Sequence, residues 1–222
     1  RVAGAGKPYR QWRGYLTESG QSLGGLGLET QTARGITASP LHYAVRRIPD
    51  LSVPAKGKVK VNTRYSYASQ LDGGQSKMEL RLNGKSVASV PLDKAVGATD
   101  ATFSVEIPAE DFFTYNDLAY RFHLYPEKTD ACRFVTDAPL WGTIHATTTV
   151  EFPGEIRTAV PDLGLLNDAG FPLTEVPDLS EVAVAMAPNP TRAELDTLVQ
   201  LMLRLGRITP TDGPTLPTVV EA

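Results

Sequence analysis

The sequence predicts a mainly β protein, in which an antiparallel sandwich precedes a short C-terminal α/β segment. In residues 77–82 the apolar Met78, Leu80 and Leu82 alternate with charged side chains, and the Asn83-Gly84 pair that follows favours a two-residue hairpin turn. From about residue 182 the pattern changes to a continuous apolar run followed by a helical repeat. We therefore place the sandwich in residues 1–160, and a linker with the α/β segment in residues 161–222.

The hairpin turn also predicts how its two strands pair. A two-residue loop places Leu80 opposite Val87 on the same face, and the second strand then runs through residues 90–92.

Four further segments alternate in the same way and predict strands with one buried face. Two antiparallel sheets packed as in a jelly roll would bury these residues and leave the outer faces free. The residues that we expect to face the core are Val59, Val61, Thr63, Tyr65 and Tyr67; Phe103, Val105 and Ile107; Leu118, Tyr120, Phe122 and Leu124; and Ile144, Ala146, Thr148, Val150 and Phe152.

The C-terminal segment reads as a strand followed by a helix. Residues 182–186 form an apolar run typical of a parallel strand, and Thr191 with Glu194 forms a capping box. The helical repeat continues to residue 205, where Gly206 is expected to stop it. Residues 210–217 are either a linker or a second strand, although Pro214 and Pro217 oppose a central position in a sheet.

Charge argues against nucleic acid as a partner. Residues 1–156 carry a net charge of +2 and residues 157–222 one of −5, and neither part has the clustered basic stripe that phosphate binding needs. The lysines at 56, 58 and 60 read as the solvent face of one strand.

The sequence predicts no cofactor, no metal and no catalysis. Cys132 is the one cysteine, and the three histidines are dispersed, although His123 and His145 could meet across neighbouring strands of one outer face. In the strand-to-helix loop at 187–191, two prolines remove N–H donors and no glycine allows close approach of a phosphate. Glu110-Asp111, the one adjacent acid pair near aromatic residues, lies in a loop after Pro108 and reads as a turn, whereas glycoside hydrolysis requires two carboxylates separated across a cleft.

Carbohydrate binding is the function for which the residues offer material. A flat aromatic ring stacks on the apolar face of a pyranose, and neighbouring polar groups bond to its hydroxyls. Periodicity places four candidates away from the core: Trp12, His123, Tyr125 and Trp141. For each of them packing beneath a loop is the competing interpretation.

No segment approaches eighteen consecutive apolar residues, so no membrane span is predicted. Because the chain begins with Arg1 and a glycine-rich stretch, we expect it to be a processed or excised fragment.

Several separated motifs resemble the periplasmic accessory subunit of bacterial cellulose synthase, a family described as cyclic-di-GMP-binding regulatory proteins. The most specific motifs lie between the two predicted domains, at residues 161–163, 170–173 and 178–180, and continue into the helix at 205–207. The others are Leu26-Gly27, Arg34-Gly35, 74–92, Ile107-Pro108, 116–122, Cys132 and 140–144. Taken together, these motifs resemble the second carbohydrate-binding-like domain of that family and the start of the flavodoxin-like domain that follows it.

The resemblance implies a non-catalytic periplasmic subunit that partners the catalytic subunit of cellulose synthase, scaffolds the inner-membrane complex and helps to guide nascent β-1,4-glucan. It implies a truncated flavodoxin-like segment here and membrane contact only through a C-terminal anchor that this chain lacks. Cyclic di-GMP is expected to act on the catalytic subunit, so we assign no such ligand to this chain. Tyr115 stands where the family usually has glycine.

Two alternatives stay open. The chain could be a stand-alone lectin-like sandwich, provided that the C-terminal helix packs as an integral part of one domain. It could also be a purely protein-binding scaffold without glucan contact, and the sequence does not settle whether the chain self-associates.

Overall fold

The computed structural model describes residues 15–16, 20–47, 51–52, 56–127, 140–153, 155–156, 163, 166–167, 170, 172–174, 179, 182–208 and 218–221. These residues are mainly β, as predicted, and belong to two compact units, one within Arg13–Ile156 and one within Arg157–Ala222. Trp12 and Cys132 lie outside the described residues.

One sheet of the first unit has five strands and is called sheet A. Its spatial order is β1-β4-β10-β7-β8, antiparallel except for the parallel pair β1 and β4. The strands are β1 (Tyr15–Leu16), β4 (Leu41–Arg47), β7 (Lys77–Leu82), β8 (Lys85–Pro91) and β10 (Tyr115–His123).

The other sheet has six strands and is called sheet B. Its long central strand pairs with β9 along one side, while β12 and β11 follow one another along its other side and pair in turn with β2 and β3. The strands are β2 (Gln21–Ser22), β3 (Gln31–Arg34), the central β6 (Lys58–Tyr67), β9 (Ala98–Pro108), β11 (Trp141–Ile144) and β12 (Thr149–Glu151). A separate two-stranded pair joins β5 (Leu51–Ser52) to β13 (Glu155–Ile156).

The core lies between sheets A and B. The five predicted inward residues of β6 and the four from 118 to 124 are all buried, and the rings of Tyr43 and Tyr120 meet edge to face at 6.0 Å. The Tyr120 hydroxyl lies 2.9 Å from Thr63 Oγ1, which joins a strand of sheet A to a strand of sheet B. At Gly142 the absence of a side chain lets Phe122 of the facing sheet pack directly against the backbone.

The predicted hairpin is present, but its predicted register is wrong. Asn83 and Gly84 have φ of 51° and 81°, as a primed turn requires. The register shifts between Leu80 and Arg81, so Leu80 pairs with Ala88 rather than Val87. The physical reason is a β-bulge in the second strand, which adds one residue to that side of the ladder.

Two other strand predictions also need correction. The strand expected through residues 144–152 is interrupted by a turn at 146–147, where Thr148 is buried and its hydroxyl accepts a hydrogen bond from the Arg64 N–H. In β9, Ile107 is buried but Phe103 and Val105 are only partly covered, because β9 pairs only with β6 among the described strands. The alternation in β4 was not recognised from sequence.

The second unit contains a β-α-β arrangement. β14 (Ala183–Met186) pairs in parallel with β15 (Thr218–Glu221), and the helix α1 (Arg192–Ile208) lies between them in sequence. The capping box is confirmed: Thr191 N–H donates to Glu194 Oε2 at 2.7 Å. The predicted stop at Gly206 is wrong, because the helix continues through it for two residues. The described second strand follows the proline-rich stretch rather than lying within it.

Candidate functional site

Trp141 lies at the start of β11 on the outer face of sheet B. The strand alternates, so the inward position falls to Gly142, beneath Phe122, and the outward ones to Trp141 and Thr143. The Trp141 carbonyl accepts a hydrogen bond from the Ala68 N–H at 3.0 Å, and Trp141 pairs in register with Arg34 of β3. The tryptophan backbone is therefore fixed from both neighbouring segments.

A surface pocket of about 500 Å³ opens beside this side chain and is called the Trp141 pocket. Its polar lining comes from Arg34, Ser69, Gln70 and Thr99, and its apolar lining includes Tyr67 and Val96. A partly exposed indole surrounded by guanidinium, hydroxyl and amide groups offers a stacking surface together with hydrogen-bonding groups.

The wall of the Trp141 pocket is held by close packing of the loop before β9 against the end of β6. The Lys94 N–H donates to the Tyr67 hydroxyl at 3.2 Å. Gly97 has φ of +75°, and a Cβ there would lie 2.6 Å from the Tyr67 carbonyl oxygen. Only glycine fits this position, so the loop packs tightly against the end of β6 along this wall of the pocket.

Hydrogen-bonded polar side chains continue from the Trp141 pocket along the outer face of sheet B. The hydroxyls of Thr32 and Thr143 lie 2.8 Å apart, and Ser66 Oγ lies 2.6 Å from His145 Nε2. Farther along, the Asn62 amide donates to Glu151 Oε1 at 2.6 Å. This face is polar and internally bonded, with its aromatic group at one end.

His123 and Tyr125 lie on the other sheet, at the end of β10. His123 Nε2 is 3.5 Å from Glu79 Oε2. Hydrogen bonding from Ser86, with smaller effects of His123 and Arg81, holds the pKa of the Glu79 carboxyl below its usual range. The Tyr125 N–H donates to Ser76 Oγ at 3.0 Å, and its side chain is 41% exposed.

The structure does not gather the four predicted residues into one strip. Trp141 belongs to sheet B, His123 to sheet A, and Trp12 lies outside the described residues. Tyr125 does not line the Trp141 pocket, and its carbonyl accepts a hydrogen bond from the Asp72 N–H at 2.8 Å. The suggestion that His123 and His145 could meet is wrong, because they lie on different sheets.

Sequence reasoning missed the polar lining of the Trp141 pocket. Arg34 lies more than a hundred positions before Trp141, and Ser69, Gln70 and Thr99 are in loops or at a strand end. No local periodicity marks such residues, because their proximity depends on how distant strands pair.

In the part of the chain that the structure describes, no three His, Cys, Asp or Glu side chains are grouped so as to hold a metal ion. No helix among the described residues is long and apolar enough to cross a membrane.

A two-sheet β unit that presents an aromatic ring in a polar-lined surface pocket has the form of a carbohydrate-binding module. Family comparison agrees with this class. The chain belongs to the cellulose synthase BcsB family: residues 21–149 match the model of its second CBM domain, and residues 157–219 match that of its second FD domain. This confirms the resemblance drawn from the motifs.

Two curated relatives illustrate the similarity. A "Cyclic di-GMP-binding protein" of Salmonella typhi is 24% identical over 91% of this chain and 29% of its own length. One of Pseudomonas fluorescens is 27% identical over 79% of this chain and 25% of its own length. The chain thus spans less than a third of these relatives.

Among solved structures, the dimeric latent PorU of Porphyromonas gingivalis gives a TM-score of 0.35 at 11% identity, over 67% of this chain and 14% of that one. This score is too low to support a structural argument.

Proposed function

We propose that this chain is part of a non-catalytic, periplasmic accessory subunit of bacterial cellulose synthase, and that its first unit contacts β-1,4-glucan through the Trp141 pocket. The observation that carries the proposal is the partly exposed Trp141 in a polar-lined surface pocket, within a segment that matches a CBM domain model of this family. The catalytic subunit of the synthase is the proposed partner, and the inner-membrane complex is the proposed location.

The proposed mechanism is reversible stacking. One pyranose packs on the indole, while Arg34, Gln70 and Thr99 exchange hydrogen bonds with its hydroxyls. These polar groups are uncharged except for Arg34, as suits a neutral polymer. Weak, rapidly exchanging contacts would guide a moving chain without holding it.

We propose a jelly-roll domain in residues 1–160, and a linker with the beginning of a flavodoxin-like domain in residues 161–222. The parallel pairing of β14 with β15, with α1 between them in sequence, supports the second part of this proposal. α1 exposes Leu195, Val199 and Leu203, as expected of a helix whose domain has further elements.

We do not extend the relatives' named ligand, cyclic di-GMP, to this chain. Arg46 and Arg47 are adjacent in sequence, but strand alternation points them to opposite faces of β4. They therefore cannot act together on one ligand.

The test is a titration of the purified chain with cellohexaose, followed by tryptophan fluorescence. The Trp12→Phe variant makes Trp141 the only tryptophan, and we expect a saturable shift in that background. Trp141→Ala should remove the binding that the Trp141 pocket contributes in an isothermal calorimetry titration of the otherwise unchanged chain.

Two controls make the titration specific. Phe113→Ala removes an aromatic side chain that is 58% exposed and does not line the Trp141 pocket, so it should leave the affinity unchanged. Maltohexaose, with α-linkages, should not produce the shift. A folded chain that shows no shift at millimolar cellohexaose would exclude glucan contact at this pocket.

That negative outcome would favour the second candidate, a protein-binding scaffold without glucan contact. The observation in its favour is the exposed apolar surface of α1. The lectin-like alternative loses support, because the helix belongs to a separate compact unit and the chain matches two successive domains of one family.

A further inference from the structure

A row of three side chains crosses the outer face of sheet A at the end where β10 begins. Tyr15 of β1 and Tyr115 of β10 each pair in register with Arg46 of β4. Their strand neighbours Leu16, Val45 and Asn116 are fully buried, so alternation places the row on the outer face. We call this row the tyrosine ridge.

The guanidinium of Arg46 lies between the two rings and holds them. Its carbon is 5.5 Å from the centre of the Tyr15 ring and 5.2 Å from that of Tyr115, both within cation–π distance. Arg46 Nη1 also donates to the Tyr15 hydroxyl at 3.3 Å. Tyr115 nevertheless remains 54% exposed. The ridge therefore presents an aromatic surface whose geometry is fixed before any ligand arrives.

The surface beside the tyrosine ridge is formed by short or polar side chains. The next rows across the sheet hold Ala44 opposite Asp117 and His42 opposite Ala119. Ala44 and Ala119 are short and do not project beyond the tyrosine ridge, and beside them His42 Nδ1 lies 2.9 Å from Asp117 Oδ2. Carboxylate oxygens and ring nitrogens can bond to hydroxyl groups of a ligand lying along the face.

These features favour a neutral saccharide over an anion. Arg46 is a cation and Asp117, one row away on the same face, is an acid, so the two charges offset one another and the surface has no excess of positive charge that would select a phosphate or carboxylate. A pyranose carries no charge, stacks on an exposed ring and bonds to both carboxylate and guanidinium groups.

We propose that the tyrosine ridge is a second saccharide site for an extended β-glucan chain, on the sheet opposite to the one that carries the Trp141 pocket. This inference rests on the proposed glucan function but on different residues. With one site on each outer face, a single sandwich can hold two glucan segments. The first unit would then align neighbouring chains as well as guide one.

The test is electrophoresis of the full chain through native gels that contain soluble hydroxyethyl cellulose. Tyr115→Ala should weaken retardation by about three- to tenfold, the loss expected for one aromatic stacking contact. The same variant should leave the cellohexaose titration of Trp141 fluorescence unchanged. Phe113→Ala, which removes a similarly exposed ring two residues away, is the matched control.

The outcomes separate the two sites. Retardation that persists in Trp141→Ala and disappears only when Tyr115→Ala is added supports the ridge. If Trp141→Ala loses all retardation while Tyr115→Ala is retarded as strongly as the unchanged chain, the proposal of a site at the tyrosine ridge is overturned. The proposal of a site at the Trp141 pocket then stands. Equal retardation in gels containing soluble starch would overturn its assignment to β-glucan. Arg46→Lys, which keeps the charge but loses the planar stack, should reproduce part of the Tyr115→Ala effect.

Discussion

Gly142→Ala tests how the two sheets of the first unit are fitted together. A Cβ on Gly142 would lie 2.3 Å from Cδ1 and 2.4 Å from Cε1 of Phe122, distances that real Cβ contacts do not reach. The Gly142 backbone does not have the positive φ that would itself disfavour alanine. The expected effect is therefore steric, and it falls on the facing sheet.

The magnitude follows from the burial of Phe122. Its side chain is 2% exposed, so the ring cannot move into solvent without leaving the core. Overpacking of a core by one methyl group destabilises by about 1–3 kcal/mol. Restriction of the unfolded chain by alanine offsets about 0.4–1 kcal/mol of this. The middle of these two ranges gives a net loss of about 1–2 kcal/mol, which lowers Tm by about 2–8 °C for a unit of this size.

The assay is urea unfolding of the full chain, followed by far-ultraviolet circular dichroism and by tryptophan fluorescence. Phe122→Leu provides the matched test, because a smaller side chain leaves room for the added methyl group. The double variant should be more stable than the sum of the single effects by about 0.5–3 kcal/mol. An unchanged or raised unfolding midpoint in Gly142→Ala would refute the steric argument.

Three further predictions concern the helix and the core. Gly206→Ala should stabilise α1 by about 0.5–1 kcal/mol, because Gly206 is inside the helix and a Cβ added there would have no atom within 4 Å; thermal unfolding measures this. Thr191→Ala should lower the helicity of the chain at neutral pH, as circular dichroism measures. In the unchanged chain the bonds to Thr191 lower the pKa of Glu194, so the stabilisation of the helix by the Glu194 carboxylate should be lost as the pH falls below about 4.5. Burial raises the pKa of Tyr43 to about 12, so its contribution of about 3 kcal/mol is complete below pH 10 and is lost between pH 10 and 12, as urea unfolding across that range should show.

Each of these predictions has a direct control. A destabilised Gly206→Ala would show that the helix needs glycine there. In Thr191→Ser the hydroxyl is kept, so helicity should match that of the unchanged chain. Tyr43→Phe should reduce the alkaline loss of stability without removing it, because burial also raises the pKa of Tyr120 and of Tyr65, and an unaltered pH dependence in that variant would assign the loss to those groups.

The local elements of this chain were largely readable from its sequence. The alternation in residues 58–67, the Asn83-Gly84 turn and the Thr191/Glu194 capping box each appear in the structure where they were predicted. Such signals depend on neighbours within a few positions, and those neighbours carry their own conformational preferences.

The register of the paired strands and the continuity of the strands and the helix were harder to predict from the sequence. The bulge opposite Leu80 and the turn that interrupts 144–152 both satisfy the twist and packing of the assembled sheets, which no local pattern records. Gly206 illustrates the same limit in the helix, since glycine permits a stop without requiring one.

The sequence by itself determined the β class of the first unit, the strand-to-helix order of the second and the outward direction of Trp141. Only the tertiary structure decided what surrounds that tryptophan and that Tyr15, Arg46 and Tyr115 form one row. The reason is that alternation fixes which face a side chain occupies, whereas its neighbours on that face come from strands far away in the chain and are set by sheet order and register.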